Sequence, residues 1–129
     1  MAASPFDHPV LSGLLGDPEI ADHFTPEEEV NQYYLFESSL TIAEAAEGIV
    51  PQAAAEAVTL AIDHADIPTL REGMTRDGVP TVAFVQALKD RVGSEHAKHV
   101  HLGATSQDLI DTSLVLRLRP VLTTFDKRH

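Results

Sequence analysis

Neither cysteine nor tryptophan occurs in this chain. Without thiols there can be no disulfides, thiolate metal sites or cysteine nucleophiles, and nothing calls for an oxidising compartment, so a cytoplasmic setting is expected. Positive charge is also scarce: 9 Lys and Arg stand against 20 Asp and Glu, for a formal net charge of -11. A field of that sign repels nucleic acid and anionic membrane, and no basic stripe offsets it, so neither is expected as a partner. Long apolar runs are missing as well. The opening MAASPFDHPVLSGLLGDPE has no basic start and no sustained apolar stretch, so it resembles neither a signal peptide nor a membrane anchor. Strand-like alternation and internal repeats are lacking, which leaves an all-α class, and 129 residues suffice for one modest core rather than two.

Helical signals divide what remains. Residues 1–24 carry Pro5, Pro9, Gly13, Gly16 and Pro18 between short apolar clusters, which predicts an irregular arm. Thr25-Pro26-Glu27-Glu28 marks a helix start, with Thr25 as N-cap, Pro26 in the first position and Glu28 closing a capping box. That helix is expected to run to about Glu47, burying Val30, Tyr33, Tyr34, Leu40 and Ala43, with Gly48 as its stop. Pro51 opens a second helical segment, PQAAAEAVTLAID, ended by Asp66-Ile67-Pro68, and a turn is expected from Arg71 to Gly78. Pro80 and Thr81 signal a third helix that sets Val82, Val85, Leu88 and Val92 on one side and ends at Gly93; a short helical turn is expected over Ser94 to Lys98.

The richest stretch is HVHLGATSQDLIDTSLVLRL, His99 to Leu118. A fourth helix begins near Ser106, Thr105 and Asp108 have capping-box spacing, and Ile110, Leu114, Leu118, Val121, Leu122 and Phe125 form an apolar stripe with Pro120 as a kink or break. Three short helices cannot cover such a stripe, which points to an interface or a severed core. Amides at a helix start lack intrahelical partners and sit at the positive end of the dipole, so this one attracts carboxylate or phosphate. Thr105, Ser106 and Gln107 add side-chain donors, and His101 stands just upstream.

The arrangement His101-x-Gly103-x-Thr105-Ser106-x-Asp108-x-x-Asp111-Thr112 resembles the first signature region of the fumarase/aspartase superfamily. Across the chain, the arm, a first helix carrying Glu37, the segments Gly48-Ile49-Val50-Pro51 and Asp77-Gly78-Val79-Pro80, and Gly103-Ala104-Thr105-Ser106-Gln107-Asp108 are most similar to its 3-carboxy-cis,cis-muconate cycloisomerases. Adenylosuccinate lyases, which look alike near Thr75 to Phe84, place a His-Asp pair where this chain has Arg76-Asp77-Gly78-Val79-Pro80. The resemblance implies residues 1–105 as an N-terminal helical domain and 106–129 as the truncated start of a long helix in a central bundle. It also implies a homotetramer whose active sites are shared between subunits, and two further signature regions absent before His129. The implied reaction interconverts 3-carboxy-cis,cis-muconate and 4-carboxymuconolactone in the protocatechuate branch of aromatic degradation, with a small tricarboxylate as substrate and no cofactor.

By the same resemblance Thr105 and Ser106 bind substrate carboxylate and His101 orients a carboxylate or shuttles a proton; the Gln107 side chain can donate an amide hydrogen bond to the substrate. The residues also admit plainer readings: Thr105 and Ser106 as caps, Gln107 as a solvated first-turn residue, and His101 as a buried histidine bonded to backbone. Asp108 and Asp111 complement the helix dipole. Gly103 permits a tight backbone approach. Glu37 is expected to be an exposed helix residue without a catalytic role. His96, His99 and His101 lack the third ligand and spacing of a zinc site, and no metal is expected. Two alternatives to the cycloisomerase stay open: another lyase of the superfamily such as an adenylosuccinate lyase-like enzyme, and a non-catalytic truncated module that oligomerises through the Ile110–Phe125 stripe.

Overall fold

The computed structural model describes residues 4–62 and 67–129. Among them every regular element is helical. The expected irregular arm is partly ordered into two single-turn helices, α1 (Ser12–Leu15) and α2 (Pro18–Ala21), and a 3-10 turn over Asp22–Phe24. Asp17 caps α2 by accepting from the Ile20 N–H at 3.3 Å, with Pro18 in the first helical position. Met1–Ala3 lie outside the described residues.

Helix α3 (Pro26–Ala46) begins at the expected cap, where the Thr25 hydroxyl accepts from the Glu28 N–H at 3.2 Å and three glutamates occupy the positive first turn. The Glu28 carboxylate, however, accepts from Asn31 and Gln32 instead of closing the expected capping box. It stops just before Gly48, whose φ of +72° reverses the chain. Its buried face carries Val30, Tyr33, Tyr34, Glu37, Ser38 and Thr41. Leu40 is only half-buried and Ala43 is exposed, so this face is rotated from the expected one toward polar residues. Helix α4 (Gln52–Leu60) lays Ala54, Ala55 and Val58 against α3, where the small side chains allow close approach. It ends at Leu60; Asp63 and Asp66, which the sequence placed at its end, lie outside the described residues.

The expected turn from Arg71 to Gly78 is instead helix α5 (Ile67–Asp77), which Ile67 and Pro68 open rather than terminate. Gly73 explains the discrepancy. A Cβ there would fall 2.2 Å from the Ala83 Cβ, so the residue that signals a turn serves as the contact surface for α6 (Thr81–Val92). Helix α6 buries Thr81, Ala83, Phe84, Val85 and Leu88, leaves Val82 exposed, and ends at Gly93 with φ +87°. The helical turn expected over Ser94 to Lys98 is a 3-10 turn at Ala97–His99.

Helix α7 (Ser106–Arg128) runs through Pro120 as one helix, without the break that was one of the two expected outcomes. Pro120 leaves the Leu116 carbonyl without its ladder donor, and Arg117 and Val121 are buried on either side. The face that α7 turns inward is Leu109, Ser113, Arg117 and Val121. Of the predicted stripe only Val121 is buried, whereas Leu114, Leu122 and Phe125 are exposed, with Val115 beside them. At the seam with α3, the Arg117 guanidinium lies 3.8 Å from Glu29 and over the Phe24 ring, and the Ser113 hydroxyl donates to the Glu29 carbonyl at 3.3 Å. The Tyr33 hydroxyl donates to the Glu29 carboxylate at 2.5 Å, and burial pushes that phenol well above its usual range.

The core gathers at the crossing of α3, α4, α6 and α7. Phe84 meets Tyr33 and Tyr34 edge-on, with centroids 5.3 and 5.0 Å apart, and Val58, Leu88 and Leu109 close around them. At the far end of α7, Arg128 pairs with Asp17 and Glu19 of the arm, holding the Asp17 carboxyl below the usual carboxylate range. Among the described residues no helix is long and apolar enough to cross a membrane.

Candidate active site at the start of the last helix

The loop from His99 to Ala104 delivers the chain to α7. Val100 anchors it in the core at 2% exposure, and Gly103, with φ +71°, makes the final reversal. Thr105 then serves as N-cap in extended geometry, and Asp108 closes the capping box. The Asp108 carboxylate accepts from the Thr105 N–H at 2.7 Å and from its hydroxyl at 2.9 Å. These two bonds hold the Asp108 carboxyl below its usual range.

Ser106 is half-buried and its hydroxyl takes part in no hydrogen bond among the described residues. The N–H groups of Ser106 and Gln107 precede the intrahelical ladder and are available to a ligand. Gln107 is exposed, with its amide donating to Asp111 at 2.7 Å along the helix surface. The geometry thus leaves Ser106 and two amides as unengaged donors, while Thr105 and Gln107 are tied to carboxylates of their own helix. His96 and His99 are neighbours, their ring centroids 6.5 Å apart. Among the described residues no three His, Asp or Glu side chains group as a metal site.

His101 is where the structure departs most from the sequence reading. Its backbone is left-handed, with φ +60°. The partner is Glu37 on α3, which was expected to be exposed and is instead fully buried at 0%. The Glu37 carboxylate accepts from the His101 N–H at 3.1 Å through Oε2, and its Oε1 lies 2.5 Å from the ring Nδ1. A signal was present: counting from Val30 at helical spacing through Tyr33 and Tyr34 lands on position 37 within the buried face. His101 is itself largely buried, its side chain 13% exposed and its ring 6.4 Å from that of Phe36. The loop histidine is therefore bonded to a core carboxylate through backbone and side chain together, rather than to a backbone carbonyl.

Glu44 lies two turns beyond Glu37 on the same helix, with its Oε2 buried and unpaired among the described residues. Burial, and then the charge of Glu37, raise its carboxyl above the usual 4.5. A raised folded-state value means that stability from this group is present at low pH and is lost as pH rises through that value. Glu44→Gln is therefore expected to raise the melting temperature at neutral pH and to have no effect in acid, where both side chains are neutral. Melting curves across that range check it, and a loss of stability at neutral pH would contradict the assignment.

No protein-family model matches the chain. It is 38% identical over 130 residues to the 3-carboxy-cis,cis-muconate cycloisomerase of Bradyrhizobium diazoefficiens, aligning 97% of this chain with 28% of that protein. It is 30% identical over 127 residues to the N-acetyl-S-(2-succino)cysteine lyase of Dickeya dadantii, aligning 92% of this chain with 26% of that one. Among solved structures, the 3-carboxy-cis,cis-muconate lactonizing enzyme from Pseudomonas putida superposes with a TM-score of 0.85 at 31% identity, over 93% of this chain and 28% of the other. The fumarate lyase from Mesorhizobium sp. BNC1 gives 0.82 at 31% identity, over 87% and 27%. The chain spans little more than a quarter of the length of these relatives. Sequence and fold agree that it belongs to the fumarase/aspartase superfamily.

Proposed function

We propose that this chain is the N-terminal part of a 3-carboxy-cis,cis-muconate cycloisomerase, a cytoplasmic enzyme acting on a small tricarboxylate. Residues 1–105 form its N-terminal helical domain and 106–129 open a helix of its central bundle. The observation that carries this reading is the start of α7: the unengaged Ser106 hydroxyl and the backbone N–H groups of Ser106 and Gln107, with a histidine seated on a buried carboxylate five residues before Ser106. In lactonisation one substrate carboxylate oxygen bonds to an alkene carbon, and the electron pair passes through an enolate-like carboxylate while a proton is delivered to the adjacent carbon. Fixed donors at a helix N-terminus stabilise that developing charge without reorganising, and His101 stands near enough in sequence to hold or move a proton. Thr105, Ser106 and Gln107 bind carboxylate in this reading, with Thr105 exchanging its bond to Asp108 for one to substrate.

The outward apolar face of α7 supports assembly with further helices, as in a homotetramer. The same face also favours a second reading, a helical module that oligomerises without turnover. One experiment separates them. This chain is installed in place of the matching segment of the Pseudomonas putida lactonizing enzyme, and conversion of 3-carboxy-cis,cis-muconate to its lactone is followed. Lactone formation is expected. An assembled chimera that cleaves N-acetyl-S-(2-succino)cysteine instead would assign another lyase of the superfamily, and one that assembles without either activity would favour the module.

A further inference from the structure

We propose that Glu37 is a positioning residue that holds His101 as the Nδ1–H tautomer and reserves Nε2 for the ligand at the start of α7. The proposal rests on the lyase reading only for the use to which Nε2 is put. The tautomer follows from the contacts themselves.

One carboxylate faces two groups of one residue. The His101 backbone N–H can only donate, so Oε2 of Glu37 is engaged as an acceptor at 3.1 Å. At the other oxygen, 2.5 Å from Nδ1, the contact needs a proton between its two heavy atoms. With Glu37 ionised that proton belongs to Nδ1, whether the ring is neutral or charged. Nε2 is then the nitrogen left over, and among the described residues nothing in the chain bonds to it.

Three features make this arrangement rigid. Glu37 is 0% exposed, so water does not compete for its oxygens. It sits in the middle of the 21-residue helix α3, 64 residues away in sequence, on an element separate from the loop. The left-handed backbone of His101, a conformation unfavourable for an L-residue, lets N–H and Nδ1 reach the same carboxylate. Were Nδ1 free of the carboxylate, the ring proton could settle on either nitrogen, and Nε2 would vary between donor and acceptor toward a ligand.

The test uses an isosteric change whose outcome the backbone dictates. In Glu37→Gln the side chain offers one oxygen and one NH2. The His101 N–H requires the oxygen, which turns the NH2 toward Nδ1 and makes that nitrogen an acceptor. The neutral ring must then carry its proton on Nε2. Long-range proton–nitrogen NMR spectra of the chain, labelled at histidine and recorded where the ring is neutral, are expected to show Nδ1–H for the unsubstituted protein and Nε2–H for Glu37→Gln, with equal helical circular dichroism. Retention of Nδ1–H in the variant overturns the proposal. So does Nε2–H in the unsubstituted chain, a measurement that does not depend on the variant folding.

In the chimera, Glu37→Gln is expected to lower kcat about 100-fold, the scale of a misplaced reacting group. A swapped tautomer with unchanged turnover would overturn the positioning role. Loss of the lyase reading shows itself separately, as an inactive unsubstituted chimera whose His101 still carries its proton on Nδ1.

Discussion

Truncating Leu109 to alanine is expected to destabilise the chain by about 2–5 kcal/mol, the range for a fully enclosed leucine that loses three carbons and leaves a cavity. Leu109 is 0% exposed and lies in the first turn of α7, directly after the capping box. It joins the cluster formed by Tyr33, Tyr34, Phe84 and Leu88, so it ties the candidate site to the core that α3 and α6 build. The surroundings are poorly placed to collapse. Tyr33 is held by Glu29, and Phe84 is wedged between two tyrosines. Urea unfolding should show a lower midpoint with an unchanged slope. Leu122→Ala is the control: at 62% exposure it should change stability by no more than about 0.5 kcal/mol. Equal effects of the two substitutions would mean that the inward and outward faces of α7 are wrongly assigned.

Ser106→Ala in the chimera is expected to lower kcat about 100- to 1000-fold, as the loss of one donor to a developing oxyanion does elsewhere. The serine is singled out because its hydroxyl is unengaged, whereas the Thr105 hydroxyl already donates to Asp108. Thr105→Ala should therefore appear mainly as lost helix capping, about 0.5–2 kcal/mol of stability, with a smaller effect on turnover. Replacing both hydroxyls should abolish lactonisation and leave assembly intact. Steady-state kinetics distinguish the roles: a fall in kcat marks a bond made in the transition state, and a rise in KM alone marks uniform binding. Unchanged kinetics for Ser106→Ala would remove it from the site.

Much of the architecture was legible because helix ends are written in local chemistry. Thr25-Pro26, Gly48, Gly93 and the Thr105–Asp108 box act within four residues of themselves, and each ends or starts a helix where the sequence indicates. What escaped depends on distant partners. Gly73 signals a turn until Ala83 is known to press against it. The inward face of α7 holds Ser113 and Arg117, which look solvent-facing until Glu29, Phe24 and the α3 backbone provide for them. Leu114, Leu122 and Phe125 of the expected stripe consequently face out while Val121 faces in, so hydrophobicity alone selected a face rotated from the buried one. At the site, the spacing from His101 to Asp108 revealed the helix start, but Glu37 was misjudged because a carboxylate is assigned to solvent by default and its partner lies 64 positions away.

The left-handed backbone at His101 also narrows the replacements that position 101 can accept. Few side chains other than glycine enter that region readily, and asparagine and aspartate are the main ones besides histidine. An aspartate would face the buried Glu37 carboxylate and be repelled. A glycine would keep the turn and the backbone bond but carry no ring. An asparagine would keep both and could donate its amide to Glu37, yet it has nothing to offer in place of Nε2. Fold and chemistry thus part at a single position: sequence drift toward asparagine or glycine would preserve the loop while silencing whatever the imidazole does, and only histidine satisfies both.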